Sequence, residues 1–114
     1  MLATAFLATA FTAEAQQGKI YRIGILGPPG KVEDLPTIKG LREGLREAGY
    51  LEGKNLQLNI PNVTTYDELR PIAKDYAEKR VDAIVTFGAT ATGIAREATK
   101  ELPIIFIAST SSVL

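Results

Sequence analysis

A chain of 114 residues, 46% hydrophobic and 23% charged, has the size and composition of one globular domain. Its 13 Lys and Arg balance 13 Asp and Glu, so no basic field is present to attract nucleic acid or an anionic membrane surface. The absence of His and Cys excludes imidazole catalysis, thiolate nucleophiles, disulfides and His- or Cys-ligated metals, and no cofactor is expected.

From Leu2 to Thr12 the chain is built of Leu, Ala, Phe and Thr and carries no charge. Such a run is too short to span a bilayer, which takes about 20 residues. It is followed by the small-x-small triplet Ala13-Glu14-Ala15 and then by Gln16-Gln17-Gly18. This is the order of apolar region and cleavage site in a secretory signal peptide, although no Lys or Arg precedes it. The pattern predicts a signal peptide over residues 1–15 and a mature domain over 16–114. The competing reading is a buried N-terminal helix. No Cys follows the cleavage site to carry a lipid anchor. The mature product is therefore expected to be soluble and periplasmic, with no membrane insertion after cleavage.

The mature part alternates strand and helix. Lys19–Gly27 (KIYRIGILG) is β-rich and must stop at Pro28-Pro29-Gly30. Ile38, Leu41, Leu45 and Ala48 are spaced 3, 4 and 3 apart, one face of a helix whose other face carries Lys39, Arg42, Glu43, Arg46 and Glu47. Gly49 stands where a helix end calls for a left-handed residue. After Gly53-Lys54, the segment Leu56–Ile60 alternates as a strand does. Thr65-x-x-Glu68 is a capping-box pattern, and Pro71 moves the expected helix start toward Leu69. Val81–Phe87 is a third, near-continuous apolar strand. Ala91, Ile94, Ala95 and Ala98 mark a third helix, and Ile104–Ile107 a fourth strand after Pro103.

The order β-α-β-α-β-α-β with near-continuous apolar strands predicts an α/β fold. It should be a doubly wound parallel sheet, order 2-1-3-4, with helices on both faces. Ligands of such sheets bind beyond the C-terminal ends of the strands. Three loops qualify: Gly27–Gly30, Gly88–Thr92 and Ser109–Ser112. Gly88-Ala89-Thr90-Ala91-Thr92 leaves a strand and enters a helix. Its small residues allow close approach, and free N–H groups with the helix dipole favour an anion such as a carboxylate. Thr90 and Thr92 would add hydroxyl donors. The plainer reading is that these threonines cap the helix. No dinucleotide fingerprint is present, since Gly24-Ile25-Leu26-Gly27 has the wrong spacing, and there is no Walker A pattern. The acid pairs Glu33-Asp34 and Asp67-Glu68 suit loops or helix starts better than general acid–base work.

Four stretches together resemble the ABC-transporter substrate-binding proteins related to the periplasmic tryptophan/tyrosine-binding type. They are KIYRIGILG (19–27), GLREGLREAGYLEGKNLQL (40–58), YDELRPIAKDYAEKRVDAIVTFGATAT (66–92) and ATKELPIIFIAS (98–109). The resemblance implies the first lobe of a type I periplasmic binding fold, in which two lobes close over a small molecule, an amino acid being the first candidate. It places the ligand carboxylate at the start of the helix after strand 3, at Ala89, Thr90 and Ala91, with Gly88 in the same ligand site. Gly27, Pro28 and Pro29 after strand 1, and Ser109 and Thr110 after strand 4, would line the same cleft. It further implies partnership with an ABC permease and ATPase, and a role in transport rather than catalysis.

The sequence departs from the family at two places. After strand 2 the family commonly has an aromatic or Arg followed by an acidic-Gly turn; here the stretch is Ile60-Pro61-Asn62-Val63-Thr64, so no ligand contact is assigned there. After strand 4 the chain reads Ser109–Leu114 where the family continues into a second lobe, so a missing second lobe and a truncated or split form are expected. The rival readings are a small cytoplasmic flavodoxin-like or Rossmann-like domain of an enzyme, and the ligand lobe of a transcription regulator. Both share the alternation, and export would separate them from the transport reading.

Overall fold

The computed structural model describes residues 18–107. They form a four-stranded, all-parallel sheet in the order β2-β1-β3-β4: β1 is Tyr21–Leu26, β2 Leu56–Asn59, β3 Ala83–Phe87 and β4 Ile104–Ile107. Helices α1 (Pro36–Glu47), α2 (Leu69–Lys79) and α3 (Ala89–Ala98) supply the crossovers. Class and strand order are those expected from the alternation.

The sheet is covered on both faces, which is why its central strands are apolar along their length. Alternate residues go to opposite sides. Ile25 and Val85 join Val32 and Ile38 in one buried cluster, with Leu41 of α1 packed against it. Leu26 and Ile84 join Leu69, Ala73 and Tyr76 of α2 and Ala91, Ile94 and Ala95 of α3 in the other. Ile25, Leu26 and Ile84 are fully buried, and each such side chain contributes about 1.5–3 kcal/mol relative to exposure. The edge strand β4 differs from the continuous burial expected of it. Ile105 and Phe106 are 51% and 52% exposed, because among the described residues β4 has a hydrogen-bonded neighbour on one side only.

The helix ends follow local chemistry. Pro36 opens α1 at a position that needs no N–H donor. At its other end Gly49 takes φ 99°. Its N–H bonds Arg46 O at 3.0 Å while Tyr50 N–H bonds Leu45 O at 2.8 Å, the two bonds of a Schellman turn. Of the apolar stripe read through Ala48, Leu45 is half-buried and Ala48 exposed. Helix α2 begins at Leu69, after a 3₁₀ turn at Tyr66–Glu68. The capping box expected at Thr65 does not form, since Thr65 makes no side-chain cap bond. The Glu68 carboxylate instead accepts from Thr64, at 3.0 Å from its N–H and 2.7 Å from its hydroxyl. Those two bonds hold the exposed Glu68 carboxyl below the usual carboxylate range.

Candidate functional site

The sheet order creates a switch point between β1 and β3. From β1 the chain crosses by α1 to β2 on one side, and from β3 it crosses by α3 to β4 on the other. Helices α1 and α3 belong to the clusters on opposite faces. The two loops that leave these strands therefore diverge, and such a switch point is where ligands bind in open α/β sheets. The parallel register pairs Leu26 with Thr86, so both loops emerge at the same end of adjacent strands.

The loop after β1 is tightly anchored. Gly27 is buried, and a Cβ there would lie 2.8 Å from both methyl carbons of Val32, so glycine is required for the chain to fold back over the strand end. Pro28 is half-buried and Pro29 exposed. Gly30 takes φ 114° and donates its N–H to Val63 O at 2.9 Å, tying this loop to the one after β2. Val63 is itself buried in the cluster beneath α2 and α3.

The loop after β3 is a single residue. Gly88 has φ 92° and ψ 168°, a conformation open to glycine alone, and the next residue is already helical. Its N–H bonds Ile107 O at 3.2 Å, which sets the end of β4 beside the start of α3. Thr92 N–H closes the first turn on Gly88 O at 3.1 Å. Among the described residues the N–H groups of Ala89, Thr90 and Ala91 have no hydrogen-bond partner, and α3 has no side-chain cap. The amides of the exposed Ala89 and Thr90, at the positive end of a helix dipole and in a loop without a titratable side chain, form a surface suited to an anion.

The residues divide clearly. Ala89 and Thr90 are exposed, whereas Ala91, expected to bind the ligand, is fully buried, main chain included, and has no surface to offer it. Thr92 does not act as a free hydroxyl donor. Its Oγ1 donates to Gly88 O at 2.8 Å and lies 2.7 Å from Oγ1 of Thr86, which is fully buried. With the Thr92 proton directed to Gly88 O, Thr86 is the donor in the second bond. This hydroxyl chain fixes the exit from β3, and the sequence reading did not assign it. Its signal was a lone hydroxyl in the buried run Val81–Phe87, which has to find a partner. Neither threonine caps α3, so the plainer reading of Thr90 and Thr92 does not describe this helix start. Ser109 and Thr110, expected to line the same cleft, lie outside the described residues. Among the described residues no cluster of acidic side chains could hold a metal ion, and no helix is long and apolar enough to cross a membrane.

A family model described as ABC transporter substrate binding protein matches residues 31–114. The chain is also similar to CD0873 from Clostridium difficile, a substrate binding protein with adhesive properties, in its ligand-free, open structure. The TM-score is 0.71 at 23% identity, over 82% of this chain and 32% of that one. The likeness is one of fold, and this chain spans about a third of that protein's length. No curated protein matches the chain.

Proposed function

Because the chain belongs to the family of ABC transporter substrate binding proteins, we propose that it forms the N-terminal lobe of a solute-binding component of an ABC importer. The ligand is a small molecule bearing a carboxylate, with amino acids the first class to test. Its carboxylate accepts from the N–H groups of the exposed Ala89 and Thr90, with the buried Ala91 packed behind them. Gly88 allows close approach, and Gly27, Pro28 and Pro29 form the facing wall. We assign Ser109 and Thr110 to the same cleft. A second lobe would close over the ligand and supply the enclosure that one open loop face lacks. Residues 1–15 direct export to the periplasm and are removed there, and a permease and an ATPase are the partners.

The observation that carries this reading is the set of orphan amides at the switch point between β1 and β3. The test is a ¹⁵N-edited NMR titration of the chain with single L-amino acids at millimolar concentration, each compared with its amino alcohol. The expected result is selective shifts at Ala89 and Thr90 with the acids and none with the alcohols. Absence of shifts at these amides with every carboxylate would remove the site. Export is read separately, by the intact mass of a periplasmic extract, as a species that begins at Gln16.

A further inference from the structure

We draw no further inference here: the strongest candidate, the outer edge of strand β4 with its half-exposed Ile105 and Phe106 side chains, is an apolar strand edge unpartnered among the described residues, and nothing in the structure shows what covers it.

Discussion

Gly24 and the ring of Tyr76 share a space with no room for a methyl group: a Cβ on Gly24 would lie 2.7 Å from Cζ of Tyr76 and closer still to the ring edge. Gly24 is paired with Asn59 on one side and Ile84 on the other, so the ring crosses the sheet where three strands meet. The Tyr76 hydroxyl donates to Ile25 O at 3.0 Å, with Asn59 O at 3.4 Å. Burial pushes the phenol well above its ordinary pKa, so it remains a donor at all physiological pH.

This contact predicts that Gly24→Ala destabilises the fold by about 1–3 kcal/mol through overpacking. Tyr76→Phe, which keeps the ring and removes the hydroxyl, should cost about 1 kcal/mol. Urea unfolding measures both. The contact also predicts coupling: in a Tyr76→Leu background, Gly24→Ala should cost less than it does alone. Equal costs in the two backgrounds would show that the ring does not set the requirement for glycine.

Arg80 ends α2 in the left-handed region, with φ 54° and ψ 55°. A side chain there is strained by its Cβ, and glycine is not. The only ion pair found for Arg80 among the described residues, with Glu101 at 3.4 Å, is exposed on both sides and contributes little. Arg80→Gly is therefore expected to raise stability by about 0.5–1 kcal/mol, relief of strain outweighing the greater freedom of glycine in the unfolded chain. A lower denaturation midpoint for the variant would contradict this.

Asp82 joins the start of β3 to β1. Its Oδ2 accepts Arg22 N–H at 2.8 Å, its Oδ1 accepts Lys19 Nζ at 2.9 Å, and its own N–H bonds Arg22 O at 2.8 Å. Burial raises the carboxyl pKa, but the Arg22 N–H bond, the Lys19 bond and the Lys19 and Arg22 charges outweigh it and hold the carboxyl below its usual range. A pKa depressed in the folded state gives stability that is complete above the unfolded value of about 3.9 and is lost as pH falls through the lower, folded value. Stability should thus decline on acidification below about pH 4, and Asp82→Asn should be less stable at neutral pH with a shallower acid decline. An unchanged acid profile in Asp82→Asn would assign the decline to other carboxylates.

Strand identity and the stop at Gly49 were legible because each rests on local pattern: apolar runs between turn residues, and a glycine placed one step past a helical face; strand order followed from the β-α alternation through the rules of doubly wound sheets. The start of α2 at Leu69 was legible from Pro71, but the partner of Glu68 was not, because Thr64 and Thr65 are both credible. The choice depends on the path through Val63, which is buried against distant residues and bonded to Gly30. A pattern within one helix cannot carry that information. The Gly88 turn was visible as a loop of small residues. Its consequence, orphan amides at Ala89, Thr90 and Ala91, required the backbone geometry. The resemblance reached the family that the model match to residues 31–114 establishes. It did so on several stretches taken together, each of which is common by itself.

The hydroxyl chain at the start of α3 provides the sharpest test of how the site is held. Thr86 is fully buried and its hydroxyl meets Thr92 at 2.7 Å, while Thr92 donates to Gly88 O. Thr92→Val removes the acceptor and leaves the Thr86 donor buried without a partner, a loss of about 1–3 kcal/mol. Thr92→Ser keeps both bonds and should lie close to the parent. Converting both residues, Thr86→Val with Thr92→Val, removes donor and acceptor together and should recover much of the single-variant loss, because no polar group is then left unsatisfied. Thermal unfolding of these three variants and of Thr86→Val alone distinguishes these cases. A double variant as unstable as the sum of its single changes would mean that the two hydroxyls do not act as a pair.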